Sequence, residues 1–247
     1  MRSIFRRLIY SSFLIIFIAP MGLTYANAQD PAAASTKTSA PPTYRAGKKS
    51  FVIPPPSSDL NEIGSDYRVL LETFVPSSNR LIAGFVLQDE LPGLLSGEKK
   101  SLSRYAMVQV PRQAEFVDVD PENFKTVAAS VAEQFNTNLD TATKGQEEDL
   151  NRRLKAMNAD AAAITFDKPV PLGSLFSKPD AYGFGLMVPV AAKGVTLKVA
   201  MGLTVLRIQN RILFIYLYSA YKDEDTVHWL QKTSEQWSDA ILAANKQ

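Results

Sequence analysis

His228 is the only histidine in this chain of 247 residues, and there is no cysteine at all. Those two facts bound the chemistry before any fold is considered. Zinc prefers thiolate and imidazole ligands, so one imidazole leaves a structural zinc site without donors. A thiol nucleophile and a disulfide framework are excluded as well. A Ser–His–Asp site needs a serine on a constrained turn and an oxyanion hole, and no Gly-x-Ser-x-Gly occurs. His228 stands beside Asp225 and Trp229 instead, where the pattern reads as the start of a surface helix.

Other constellations are weaker. Ser96-Gly97-Glu98-Lys99 matches Ser-x-x-Lys, but its usual companions Ser-Asp-Asn and Lys-Thr-Gly are missing. Asp118-Val119-Asp120-Pro121-Glu122 opens like a calcium loop. Asn123 stands where the sixth-position Gly belongs and Ala129 where the final Glu belongs, so helix capping accounts for the same acids. Gly183-Phe184-Gly185 lies inside a strand pattern with no third glycine and no helix after it, which speaks against a nucleotide cradle. These glycines read as places where another element packs close. No catalytic residue, metal ligand or cofactor is therefore assigned. Tyr221, His228 and Trp229, clustered near the end of the chain, form the candidate binding surface.

Charge and composition set the compartment. Arg2, Arg6 and Arg7 precede an apolar run from Leu8 to Ala19 that is short for a bilayer span. Pro20 and Gly22 break it, and Ala26-Asn27-Ala28 supplies small residues at −3 and −1. A secretory signal is expected over 1–28, cut between Ala28 and Gln29, with an uncleaved membrane anchor as the alternative. Export without cysteine fits a bacterial periplasm. Without the three arginines of that segment, 24 basic residues face 25 acidic ones, a balance of −1, so no footprint for nucleic acid remains. Membrane contact is then expected only through an uncleaved signal. Residues 29–50 carry one aromatic and no large aliphatic side chain, and are expected to be a disordered linker.

The elements that must carry any surface lie in residues 51–247, read as one domain. Ser65 is expected to cap a helix with Tyr67, Leu70, Leu71 and Phe74 on one face. Strands are expected over Arg80–Leu87 and Ser103–Val110, with a short helix between them. Asp120 and Pro121 open a helix striped by Phe124, Val127, Val131 and Phe135. A polar break over Asn136–Gly145 precedes a second helix, Gln146–Met157. Strands follow over Ala161–Phe166 and Tyr182–Val190. Val195–Ile208 and Arg211–Tyr221 read as a hairpin about Gln209-Asn210, pairing Val205 with Phe214 and Met201 with Tyr218. Both its faces are apolar, so both should be covered. The last helix, opened by Asp223-Glu224-Asp225, should return across this hairpin on Val227, Leu230, Trp237 and Ile241, admitted by Ala200, Gly202 and Ser219. The fold class expected is α+β, a mainly antiparallel sheet with helices packed on both faces.

Leu71-Glu72-Thr73-Phe74-Val75-Pro76-Ser77-Ser78-Asn79-Arg80-Leu81-Ile82-Ala83-Gly84-Phe85-Val86, with Leu102-Ser103-Arg104-Tyr105 and Val108-Gln109-Val110, resembles a family of secreted proteobacterial proteins of unknown function. The stretch from Gly202-Leu203-Thr204-Val205-Leu206 through Tyr216-Leu217-Tyr218-Ser219 to Trp237 and Ala243-Ala244-Asn245 carries the same resemblance. In topology, a late hairpin followed by a C-terminal helix is similar to PsbP-like and DcrB-like envelope proteins. That likeness implies a sheet sandwiched between helices and a binding or assembly role. The expected function is a non-enzymatic periplasmic module for an envelope protein or a small ligand. A hydrolase or transferase built around Ser96 and Lys99, or around His228, is the alternative, as is a membrane-anchored envelope protein. Intact-mass measurement of the exported protein should give a chain beginning at Gln29, and a chain beginning at Met1 would establish the anchor instead.

Overall fold

A computed structural model describes residues 42–96, 102–137, 139–156, 164–192 and 195–246. The expected signal segment with Ala28 and Gln29, residues 29–41 of the expected linker, and Gly97–Lys99 of the Ser-x-x-Lys sequence lie outside them.

Ten strands and five helices alternate along the described chain. Strands β1 (Thr43–Ala46) and β2 (Lys49–Val52) form a separate hairpin, followed by β3 (Leu60–Glu62), α1 (Ser65–Glu72), β4 (Asn79–Leu87), α2 (Leu91–Ser96) and β5 (Arg104–Pro111). Then come α3 (Pro121–Thr137), α4 (Leu139–Ala156), β6 (Thr165–Phe166), β7 (Val170–Lys178), β8 (Ala181–Ala192), β9 (Val195–Ile208), β10 (Arg211–Ala220) and α5 (Glu224–Ala244). Eight strands make one sheet in the order β3-β4-β5-β10-β9-β8-β6, with β7 also on β8, and every pairing is antiparallel. The protein is α+β.

The β9–β10 hairpin has the expected register, with Val205 opposite Phe214 and Met201 opposite Tyr218. Its turn uses Gln209 at φ 47° and Asn210 at φ 62°, the left-handed pair that matches the twist of the strands. Alternate residues enter two separate cores. Met201, Leu203, Val205, Phe214, Tyr216 and Tyr218 face α1, α3 and α4, packing with Phe74, Phe124, Phe135 and Leu154. Ala200, Leu206, Leu213, Ile215 and Leu217 face α5 and the β1–β2 hairpin, packing with Leu230, Trp237, Ile241 and Phe51. Helices thus cover both faces.

The two covers approach differently. Beneath α3 and α4 the sheet presents large rings: Tyr105 stacks on Tyr218 at 4.4 Å, and Phe135 of α3 lies on Phe184 at 5.1 Å. Under α5 it presents Ala200 and Gly202. A Cβ added at Gly202 would stand 2.7 Å from Ser234 Oγ and 3.3 Å from Leu230 Cγ, so helix and strand meet at backbone distance. Gly183 and Gly185 do the same for β7, where a Cβ would strike Phe176 at 2.4 Å and Leu175 at 2.9 Å. The glycine pair is a packing device.

Several expectations are corrected. The linker expected to run to residue 50 gives way to β1 at Thr43. Few apolar residues are needed there, because Tyr44, Ala46 and Phe51 are buried against the α5 side of the sheet. Asn245 closes this contact: its side chain accepts from Val52 N at 2.8 Å and donates to Val52 O at 2.7 Å, as a neighbouring strand would. Trp237 Nε1 donates to Pro54 O at 2.7 Å. The polar break over Asn136–Gly145 is mostly helical, with α4 starting at Leu139. Gly64, not Ser65, is the N-cap of α1, and no side chain caps it. Val227 is half-buried, while Leu230, Trp237 and Ile241 are buried.

Strand β7 has no counterpart among the expected strands. Pro171, two bulges and Gly173 at φ 86° interrupt its alternation. Those same features blunt the exposed edge of the sheet against further pairing. Arg68 performs a similar task for β4, where its guanidinium donates to the carbonyls of Leu81 and Ile82 beside the bulge.

Glu115 joins the small hairpin to the main sheet. It pairs with Arg80 and accepts from Gly47 N at 3.2 Å, while Arg80 Nη2 reaches Arg45 O at 2.8 Å. The hydrogen bond from Arg80 holds the Glu115 carboxyl below its ordinary range. A carboxylate with a depressed folded value contributes stability above its unfolded pKa, about 4.3, and loses it as pH falls through the folded value. Glu115→Gln should therefore flatten the loss of stability below about pH 5 in urea titrations at several pH values. Gly202→Val should cost about 1–3 kcal/mol through overpacking against Leu230 and Ser234, seen as a lower urea midpoint with unchanged slope.

Candidate functional site

Tyr221 follows the end of β10, and His228 and Trp229 lie in the first two turns of α5, at the end of the sheet where β5 starts. The backbone is closed there by Ala220 N donating to Ser103 O and Tyr221 N donating to Lys198 O, both at 2.8 Å. Asp223 then caps α5: its side chain accepts from Thr226 N at 3.2 Å, and Thr226 Oγ1 accepts from the Asp223 backbone at 3.5 Å. This reciprocal cap fixes where α5 starts, and so where His228 and Trp229 point.

Tyr221 and Trp229 are half-buried, each laying part of its ring on the α5-side core. His228 is exposed. The pairing of Ser219 with Arg104 across β10 and β5 brings in a residue that no sequence pattern singles out. Arg104 sets its guanidinium over the Trp229 ring, 4.3 Å from the centroid, which is cation–π distance. Glu90, the residue before α2, is buried at 2% exposure, and its Oε2 accepts from Ser103 N at 2.9 Å. Neither could be found from local sequence. Both lie more than a hundred residues from Tyr221, and only strand register joins them.

Tyr216 and Tyr218 belong to the opposite face and are fully buried, so the tyrosines do not form one patch. Burial pushes the Tyr216 hydroxyl well above its usual value. The candidate calcium loop resolves into structure of another kind. Asp120 caps α3 by accepting from Asn123 N at 2.8 Å, and these hydrogen bonds hold its carboxyl below the usual range. Asp118 accepts from Arg211 Nη1 at 2.5 Å. Among the described residues no group of three His, Asp or Glu side chains is placed to hold a metal. Ser96 ends α2, and the remainder of Ser-x-x-Lys lies outside the described residues. Among the described residues no helix is long and apolar enough to cross a membrane.

No protein-family model matches the chain, and no curated protein matches it. Among solved structures it is similar to a mutant of the protein Mog1, at 11% identity and TM-score 0.31 over 82% of this chain and 94% of that one. It is also similar to the Saccharomyces cerevisiae Ran-binding protein Mog1p, at 12% identity and TM-score 0.24 over 79% of this chain and 84% of that one. Superposition at this level supports no inference about site or partner.

Proposed function

We propose that the protein is a non-enzymatic binding or assembly module of the bacterial envelope, exported to the periplasm by its N-terminal segment. The surface at the start of α5 is its working face. One observation carries this reading: Arg104 lies on half-buried Trp229, whose neighbour His228 is exposed, at an end of the sheet where the backbone is already closed. Half-buried tryptophan, tyrosine and arginine are the side chains that dominate protein interfaces, because they supply area at little entropic cost. His228 serves as a rim contact there, and a chemical step is not required of it.

In-cell cross-linking tests the proposal. The full-length protein should yield a discrete adduct in the envelope fraction that persists in Phe116→Ser, a substitution of an exposed ring at the opposite end of the sheet. Trp229→Ala should abolish that adduct while leaving the urea midpoint within about 1 kcal/mol of the parent. An adduct indifferent to Trp229→Ala would place the working face elsewhere.

A further inference from the structure

Arg104 rests over an aromatic ring and, among the described residues, pairs with no anion. Other half-buried or buried arginines are used within the fold. Arg68 and Arg153 donate to backbone carbonyls and pair with Glu72 and Asp149, Arg80 pairs with Glu115, Arg207 with Asp180, and Arg211 with Asp118. Arg104 is half-buried too, yet its one side-chain interaction among the described residues is with the face of Trp229. Stacking on a ring occupies the plane of a guanidinium and leaves its N–H edges free. The side chain is thereby positioned in advance, and the rotamer entropy that normally opposes a bidentate contact is already spent.

We infer that Arg104, seated on Trp229, is a receptor for a carboxylate group of the bound partner or ligand. This rests on the binding reading above and deepens it. The chemistry favours carboxylate over phosphate. The chain that leads into α5 is mixed in sign, Lys222 being followed by the N-cap Asp223 and by Glu224 and Asp225 in the first turn. Such a field tolerates a single delocalised charge better than a dianion, and the chain beyond residue 28 has no positive excess to attract a polyanion. A flat carboxylate also matches the fork of the guanidinium edge in two parallel hydrogen bonds. Buried Glu90 lies behind the backbone of Ser103, where its Oε2 is engaged by that N–H.

The two tryptophans make the test internal. Trp237 is buried and its Nε1 is bonded to Pro54 O, so its indole resonance serves as a silent reference, whereas Trp229 reports on Arg104. Acetate, a monoanionic carboxylate, titrated into the full-length protein should move the Trp229 indole ¹H–¹⁵N signal saturably at roughly millimolar concentration and leave Trp237 in place. Arg104→Gln should weaken this response by about tenfold or more, and Arg104→Lys should not restore it, because an ammonium lacks the planar fork. An unperturbed Trp237 signal in each variant certifies the fold. A shift that stays linear with acetate, equal affinity in Arg104→Gln, or tighter binding of inorganic phosphate would each overturn the inference. If the cross-linked adduct depends on Trp229 but survives Arg104→Gln, the carboxylate receptor fails alone. If no adduct depends on Trp229, the binding reading fails with it.

Discussion

A sheet whose central hairpin is apolar on both faces is unstable without two covers, and that requirement organises the rest of the chain. Residues facing opposite sides of β9 and β10 differ in size as well as in direction. One side shows Phe214, Tyr216, Tyr218 and Met201, and the other shows Ala200, Gly202, Ser219 and Leu217. The bulky side is met by several elements, with α1, α3 and α4 each contributing a few side chains to fill uneven ground. The smooth side accepts one long helix in close contact, with the β1–β2 hairpin covering it as well. Two kinds of cover thus follow from one pair of strands, since interiors must reach crystal-like density on either side.

The hairpin is the most legible part of the molecule for the same reason. Its alternation runs for ten residues on each strand, and a Gln209-Asn210 turn admits one register. Legibility falls where tertiary contacts carry the energy. Thr43–Ser50 looks too poor in apolar residues to fold, because the groups that retain the β1–β2 hairpin, Asn245 and Glu115, lie 193 and 68 residues away from their partners. Strand β7 is invisible to pattern reading because Pro171 and its bulges erase period-two alternation. The start of α4 is rich in polar residues that suit a solvent-facing helix as well as a loop. There, composition cannot separate the two.

The candidate site shows the same division. Tyr221, His228 and Trp229 can be grouped from sequence because they are local, spanning the end of a strand and the first turns of a helix. Arg104 and Glu90 cannot, since their place beside Trp229 and Ser103 is a product of which strand lies next to β10. The acids of Asp118–Glu122 illustrate the reverse error. Spacing suggests a ligand loop, and the fold spends Asp120 on a helix cap and Asp118 on a buried arginine.

The stitch between Asn245 and Val52 also has a geometric meaning. It brings β1, whose Thr43 pairs with Val52, to the C-terminal end of α5. Trp229 lies sixteen positions earlier on that helix, or about 24 Å along its axis at 1.5 Å per residue. The Arg104–Trp229 contact and the Asn245–Val52 stitch therefore sit at opposite ends of one helix, which sets a fixed spacing between the candidate surface and the β1–β2 hairpin.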